Sequence, residues 1–374
     1  MYSSGTSFEM NDYTANGGTV QVDYTIPAAQ ITCSTNSSSR AVRQTKQYHP
    51  YIPGTNNLAF MSFVFGTPQN SIQQIGLFDD LNGIFLRLDN TNTASFVIRN
   101  NSVDSEQVIQ ANWNLNIPQL DFTKAQLLVI DYQWLGVGTV RIGFVIDGKI
   151  VYCHEFPHTN ALSSAPYMHQ ASLPCRWEVY AYGGTPSTTT TLTAICAAVY
   201  CEGSVTESGF TRATSTGLSQ ITVSNTTDGQ CLIALRLKNS LVSKHNRTIA
   251  RLLSYTITTT NIMRYQIIRF NDASKITSPT WNTVAGYSWC DYATNASMVS
   301  NWATDNAYNV IAEGFVSGST GQTSGMINSQ LENKTSCIFQ NYDSTESQVF
   351  AIVGYKMNST NATVSAALQW LETK

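Results

Sequence analysis

The stretch from Phe122 to Glu155 reads FTKAQLLVIDYQWLGVGTVRIGFVIDGKIVYCHE, and it decides the fold class. It contains three strand-like runs, at Ala125–Tyr132, Thr139–Ile146 and Lys149–His154. In the second run, apolar residues occupy every even position from 140 to 146. Alternation with a period of two is typical of a strand with one buried face, and no helical period competes with it. The stretch therefore predicts antiparallel β-structure.

Two turn signals join these runs. Asp147-Gly148 lies between the second and third runs, and this pair favours a type I′ hairpin turn because both central residues need positive φ. Gly136 and Gly138 lie between the first and second runs. The sequence thus predicts a three-stranded β-meander.

Composition extends this prediction to the whole chain. Only 12% of the 374 residues are charged, against about 25% in typical soluble proteins. Aromatic residues are abundant, with 18 Tyr, 15 Phe and 7 Trp.

The net charge of −3 provides no basic field for nucleic acid, and no apolar run is long enough to span a membrane. The N-terminal sequence has no signal-peptide pattern.

The chain divides into three predicted segments. Residues 1–46 are polar and contain one alternating run, Thr19–Ile26, so we expect an N-terminal arm or edge strand and a linker. Residues 47–205 contain about ten short strands separated by turn signals, which predicts a lectin-like β-sandwich. Residues 206–374 again contain short strand-like runs joined by polar loops, which predicts a second β-sandwich. The fold class is all-β, with two antiparallel jelly-roll or concanavalin-like domains after an extended arm.

Several motifs resemble a family of virion proteins found in tailed phages and some large DNA viruses. They are QYHPYIPG (47–54), IGLFDDLNGIFLRLD (75–89), NWNLN (112–116) and the QWLGVG…VRIGFVIDG block (133–148). The resemblance is strong over 48–200 and looser in the second half, where the chain ends VFAIVGYKMNSTNATVSAALQWLE. It implies a structural virion component and carries over no catalytic residue.

Carboxylates are the candidate acid and base of a glycosidase. Such an enzyme needs two carboxyl groups flanking the scissile bond. The meander offers Asp131, Asp147 and Glu155, but none of its strands carries two carboxylates on one face. These residues favour a protein that is not an enzyme.

The sequence shows no clear pattern for a metal site or for disulfide bonds. His154, His158 and His169 are interpreted as loop histidines rather than zinc ligands, because Pro157 interrupts any helical pair. The segment 79–83 (DDLNG) is interpreted as a hairpin turn, with calcium binding as the alternative. We expect no cofactor. The eight cysteines are interpreted as buried thiols, with disulfides as the alternative.

Exposed aromatic rings are the candidate sugar contacts, because a ring offers an apolar face to sugar C–H groups. Trp134 and Trp177 are expected in the core. Trp302, in the polar segment VSNWATDNAY, and Tyr182 are the possible glycan contacts.

The expected function is a structural virion protein that forms homo-oligomers and contacts other virion proteins. The alternative is a receptor- or glycan-binding module on the virion surface that recognises a host glycan.

Overall fold

The computed structural model of the chain describes residues 9–162, 165–202, 209–241, 244–284, 286–304, 307–317, 321–326 and 336–373. Within these ranges the structure consists of strands and two short 3-10 helices, Gln110–Asn112 and Trp302–Thr304. Every strand pair is antiparallel. The predicted all-β class is confirmed. The described residues contain no helix long and apolar enough to cross a membrane.

The chain forms two compact units, Met1–Thr206 and Glu207–Lys374. The strands of the first unit are β1 (Met10–Ala15), β2 (Thr19–Asp23), β3 (Ala28–Cys33), β4 (Arg40–Thr45), β5 (Asn57–Val64), β6 (Ser71–Phe78), β7 (Gly83–Leu88), β8 (Ala94–Asn100), β9 (Val103–Ile109), β10 (Gln126–Tyr132), β11 (Val140–Ile146), β12 (Lys149–Phe156), β13 (Cys175–Ala181) and β14 (Thr190–Cys201).

These strands form two seven-stranded sheets in the described part of the unit. The first sheet has the order β1-β4-β13-β6-β7-β8-β9, and the second has the order β12-β11-β10-β5-β14-β3-β2. Apolar side chains of both sheets meet in one buried core, including Ile75 and Trp177 from the first sheet and Met61 and Phe144 from the second. The unit is therefore a β-sandwich, and each sheet has one face away from the core.

The prediction of an arm at residues 1–46 is wrong over residues 9–46, and residues 1–8 lie outside the described ranges. From residue 10 onward the segment forms β1 and β4 of the first sheet and β2 and β3 of the second. Met10, Ile31 and Ala41 are buried in the shared core, and the buried Arg43 is paired with Asp12. These contacts hold the segment in the sandwich. Only β2 matches the edge strand expected at Thr19–Ile26.

The meander of the opening stretch is formed by β10, β11 and β12. Asp147 and Gly148 have φ of 50° and 74°, as the predicted type I′ turn requires. Position 138 must be glycine because the chain passes close to Gln133: a Cβ at this position would lie 1.6 Å from the Gln133 carbonyl oxygen.

The second unit is also a sandwich. Its strands are β15 (Phe210–Ser215), β16 (Ile221–Val223), β17 (Gln230–Leu237), β18 (Ser240–Leu241), β19 (Lys244–His245), β20 (Ile249–Thr259), β21 (Met263–Phe270), β22 (Ile276–Thr277), β23 (Asn282–Thr283), β24 (Cys290–Met298), β25 (Tyr308–Val316), β26 (Gly321–Met326), β27 (Cys337–Ile338), β28 (Val349–Lys356) and β29 (Ala362–Thr373). The order β15-β29-β20-β26 makes one sheet and β22-β24-β17-β28-β21-β25 the other. Side chains such as Trp370 and Ile352 fill the core between them.

Candidate functional site

The outer face of the first sheet carries charge where a solvated surface would be expected. On β13, Cys175, Trp177 and Val179 point into the core. Since successive strand residues point to opposite faces, Arg176 and Glu178 point outward. Both are nonetheless buried, with side chains only 1% and 3% exposed. Burying a charged side chain is unfavourable unless it pairs with an opposite charge, so these residues are expected to have charged partners.

The register extends this layer across the sheet. Glu178 on β13 is opposite Gln74 on β6, which is opposite Arg87 on β7, which in turn is opposite Ser95 on β8. We call the layer the outer charged face; its members are Arg40, Gln74, Asp80, Arg87, Ser95, Arg99, Asp104, Arg176, Glu178 and Tyr180.

Two phenylalanine rings form the floor of this face. Phe78 and Phe85 are fully buried with their centroids 4.6 Å apart. The Arg176 guanidinium lies 5.2 Å from the Phe78 centroid, and that of Arg99 lies 4.9 Å from the Phe85 centroid. The guanidinium groups thus cover the rings in cation–π contacts, which fixes their position.

At one end of the face, two arginines bridge two carboxylates. Arg40 contacts Glu178 at 2.7 Å and Asp80 at 2.8 Å. Arg176 contacts Asp80 at 2.9 Å and Glu178 at 3.4 Å. The mutual pairing offsets part of the desolvation cost and holds all four groups in fixed positions.

At the other end, Arg87 and Arg99 share the carboxylate of Asp104. Burial alone would raise the pKa of Asp104, but hydrogen bonds from Arg99 and Arg87 outweigh burial and hold it below 3.8. With its amide oriented by its partners, Gln74 accepts from Arg87 at 2.8 Å and 2.9 Å.

Tyr180 lies among these charged groups. Its burial raises the pKa of the phenol to about 12; the charge of Arg87 lowers this pKa and that of Glu178 raises it, both by less than burial does. The phenol is therefore a neutral hydrogen-bonding group at any physiological pH.

The two aromatic residues predicted as glycan contacts have different positions. Tyr182 is 55% exposed, and its backbone N–H donates to the Asn70 carbonyl, which continues the β13–β6 pairing. Its ring therefore follows Tyr180 on the same face of the sheet. Its contact with a glycan stays a prediction.

Trp302 is not exposed, which corrects its prediction as a glycan contact. It is only 5% exposed and packs edge-on against Phe270 and Tyr308. Its indole Nε1 donates to the carbonyl of Asp228 at 2.8 Å. A short 3-10 helix turns the ring inward, so the polar residues around it in sequence gave the wrong expectation. Trp177, expected in the core, is buried there, and Trp134 is partly buried against the same core.

The other predicted site residues have structural partners. Asp131 pairs with Arg141 at 2.6 Å and accepts from Tyr152, on the outer face of the second sheet. Asp147 lies in the hairpin turn, and Glu155 lies on β12, at the edge of that sheet. None of these three belongs to the outer charged face.

His154, His158 and His169 each contact different residues. Nδ1 of His154 accepts from the Asn114 N–H, and burial lowers its pKa. His158 is stacked on Tyr167 and lies between Glu106 and the Gly138 carbonyl. His169 contacts Asn100.

The acidic turn at 79–83 is a hairpin stabilised by its own side chain. An oxygen of Asp79 accepts from the N–H groups of Leu81 and Asn82, each at 2.8 Å. Over the described ranges, no group of three or more His, Cys, Asp or Glu side chains is placed to hold a metal ion. The eight cysteines, all within those ranges, are thiols rather than disulfides.

Comparison with known proteins gives fold neighbours only. No family model and no curated protein matches the chain. Among solved structures, a β-1,3-1,4-glucanase (lichenase) from a mouse hindgut metagenome is 11% identical, covering 52% of this chain and 93% of its own, with a TM-score of 0.36. The Bacillus licheniformis β-glucanase is 11% identical over 51% and 91%, also at 0.36. A legume lectin-like domain from Entamoeba histolytica is 13% identical over 51% and 89%, at 0.32.

The two glucanases contradict the prediction that this chain is not an enzyme, and we withdraw it. At these identities and TM-scores the likeness assigns no reaction or residue to this chain.

Sequence reasoning missed the outer charged face. Its signal was the segment Arg176–Tyr182 (RWEVYAY), in which polar and aromatic residues alternate with Trp177, Val179 and Ala181. The partners on β6 to β9 could not be assigned without the strand order.

Proposed function

We propose that the first unit binds a carbohydrate on the outer charged face, with Tyr182 at its exposed end. The observation that supports this is the row on β13 and just beyond it, where Arg176, Glu178, Tyr180 and Tyr182 occupy alternate positions of one face. Two-residue steps place successive side chains roughly 6.6 Å apart. The row thus combines fixed polar groups and aromatic rings over the length of a short oligosaccharide.

The chemistry of these groups suits sugar hydroxyls. Carboxylate and guanidinium groups form paired hydrogen bonds in one plane, and a neighbouring ring supports the apolar face of the sugar. The buried Arg176 and Glu178 hold Arg40 and Asp80, whose side chains are 32% and 47% exposed and can contact a sugar, so little side-chain entropy is lost on binding.

The experiment is glycan-array binding by the full chain and two variants. Tyr182→Ala removes the exposed ring and is expected to lower the signal at least about tenfold. Tyr287→Ala is the matched control, because this tyrosine is 95% exposed and belongs to the second unit. An array without hits, or equal loss in both variants, contradicts the proposal.

Glycoside hydrolysis is the second candidate, because the same face holds two neighbouring carboxylates. Nη1 of Arg176 lies 2.9 Å from an oxygen of Asp80 and 3.4 Å from one of Glu178. Those oxygens can be no further apart than the sum of the two distances. Retaining glycosidases place their carboxyl groups about 5–5.5 Å apart and inverting ones about 6.5–9.5 Å, so the spacing favours retention.

Release of reducing ends from a β-glucan tests this candidate. Glu178→Gln is expected to abolish the release, whereas Glu155→Gln, on the edge strand of the second sheet, is expected to preserve it. If the unaltered chain releases no reducing ends, hydrolysis of this substrate is excluded.

Display on a virion and assembly with copies of itself and other virion proteins rest on the motif resemblance and stay predictions. Immunolabelling of purified particles tests the location, and sedimentation of the purified chain tests the self-association.

A further inference from the structure

We propose that two copies of this chain associate through the outer face of the second sheet of the first unit. This surface is distinct from the proposed carbohydrate site on the first sheet, and it locates the self-association that the motif resemblance predicts. We call it the apolar outer face. Its members have apolar side chains that point away from the core: Leu58, Phe60, Leu127, Val129, Ile150 and Tyr200.

The central strands of this sheet are apolar on both faces. On β10, Leu128 and Ile130 belong to the core. Successive strand residues point to opposite faces, so Leu127 and Val129 point outward. Val129 lies opposite Phe60 on β5, which extends the apolar layer to the next strand. An antiparallel sheet whose outer face is solvated carries polar residues there, and these strands do not.

Part of the apolar outer face is in contact with solvent. Tyr200 is 61% exposed and Ile150 is 42% exposed. The half-buried ring of Phe60 lies edge-on to that of Tyr200, with the centroids 6.0 Å apart. Contiguous exposed apolar surface of this kind marks an interaction site.

The charged residues at one end of this face neutralise each other. Arg141 contacts Asp131 at 2.6 Å, and the Tyr152 hydroxyl donates to the same carboxylate at 2.9 Å. The Arg141 guanidinium also lies 4.8 Å from the centroid of the Tyr152 ring. A partner can therefore cover this end without leaving a buried charge unpaired, which would oppose association.

The area of the face fits a weak dimer. It extends over five neighbouring strands, β12-β11-β10-β5-β14, which are spaced at about 4.8 Å. About six residues of each strand contribute, at about 3.3 Å each, so the face measures about 480 Å² per copy. Two copies would bury about 1,000 Å², the value at which specific interfaces begin. We expect a dissociation constant on the order of micromolar.

The shape of the face favours a second copy as the occupant. Two sheets with the same right-handed twist stack face to face about 10 Å apart, with their side chains interdigitated. Gly143 lies between Val129 and Tyr152 in the register and leaves a gap in the layer of side chains. An apolar side chain of the facing sheet fits such a gap. A two-fold axis brings this surface against itself, so one apolar face is sufficient for a closed dimer.

The experiment is sedimentation velocity of the full chain, with hydroxyl-radical footprinting, at concentrations on both sides of the expected constant. The sedimentation coefficient is expected to rise from that of a monomer to that of a dimer. Oxidation of Tyr200 should fall as the dimer forms, whereas that of Tyr24, which is 82% exposed in the turn after β2, should stay unchanged. Raised salt should not dissociate the dimer, because salt screens ionic contacts and does not weaken apolar burial.

Variants locate the contact. Tyr200→Lys and Ile150→Lys each place a charge on the apolar outer face. Each is expected to raise the dissociation constant at least about a hundredfold, since a two-fold dimer contains every substitution twice. Tyr24→Lys is the matched control, because it adds the same charge at an exposed tyrosine outside the face, and it is expected to preserve the constant. Thermal denaturation shows that the three variants are folded.

Three results would overturn the proposal. The first is a chain that stays monomeric at the highest concentration. The second is a dimer that forms equally in Tyr200→Lys and Ile150→Lys, which would place the contact elsewhere. The third is a monomer in which Tyr200 is protected at every concentration, since the face would then already be covered. None of these results decides carbohydrate binding, which the array tests with Tyr182→Ala on the other sheet.

Discussion

Replacement of Asp104 by asparagine tests whether the paired arginines are held by one shared carboxylate. Asp104 accepts charge-assisted hydrogen bonds from Arg87 and Arg99. Each bond of this kind contributes about 1.5–3 kcal/mol. Asparagine keeps one acceptor oxygen but turns an amide NH₂ toward the other guanidinium. Since the side chain is 26% exposed, the expected loss lies at the low end of that range, about 2 kcal/mol.

The pH dependence gives this prediction a second test. The folded-state pKa of Asp104 lies below its ordinary value of 3.8, because the arginine hydrogen bonds outweigh burial. A carboxyl group with a lowered folded pKa stabilises the fold above its unfolded pKa, and this contribution disappears as pH falls through the folded value. The variant should therefore be less stable than the wild type at neutral pH, and the difference should shrink as pH falls through the lowered folded-state pKa of Asp104.

The assay is denaturant-dependent hydrogen exchange, followed by mass spectrometry of peptides covering β8 and β9. Asp121→Asn is the control, because Asp121 lies in an exposed turn where it accepts from Thr123. A destabilisation of Asp104→Asn that is absent, or that persists unchanged in acid, would refute the reasoning.

Three further predictions concern other parts of the fold. In Gly143→Ala the new Cβ would lie 2.0 Å from the Val151 carbonyl oxygen, so we expect the β11–β12 pairing to weaken by about 3 kcal/mol, measured by hydrogen exchange of that hairpin. Trp302→Ala removes a buried ring and should cost about 3–5 kcal/mol in the second unit without altering glycan affinity, measured by denaturation and calorimetry; a change of affinity would restore Trp302 as a ligand contact. Burial lowers the pKa of His154, whose neutral Nδ1 accepts from Asn114, so this contribution is present above about pH 6.5 and is lost as pH falls through the lowered folded value. Amide exchange at Asn114 should accelerate over that range, and a rate that tracks only intrinsic pH dependence would contradict it.

Local patterns predicted local structure well. The alternation at positions 140–146 and the Asp147-Gly148 pair defined the meander, because turn geometry and a single buried face depend on neighbouring residues alone. The prediction of an arm at residues 1–46 is wrong over residues 10–45, because the apolar residues of this segment are few and do not indicate that it belongs to a core. It joins the sandwich through pairing with β13 and β14, which lie far along the chain.

The site was harder to predict for the same reason. Glu178, Gln74 and Arg87 form a row only once β13, β6 and β7 are adjacent. The prediction that Trp302 is exposed is wrong for a different reason: its neighbours in sequence are polar, but tertiary packing buries the ring. Exposure of a single aromatic residue depends on what packs over it, and neighbouring residues in sequence do not determine that.

The most direct test of carbohydrate binding on the outer charged face is a nuclear magnetic resonance titration of the full chain with arginine side chains labelled with ¹⁵N. The ligand is the strongest hit from the glycan array, and the observed signals are the Nε–Hε groups. Arg40 lies opposite Tyr180 and its side chain is 32% exposed, so the account predicts that its signal shifts in proportion to occupancy while that of Arg141 stays fixed. Saturable binding that leaves the Arg40 signal unshifted would contradict it.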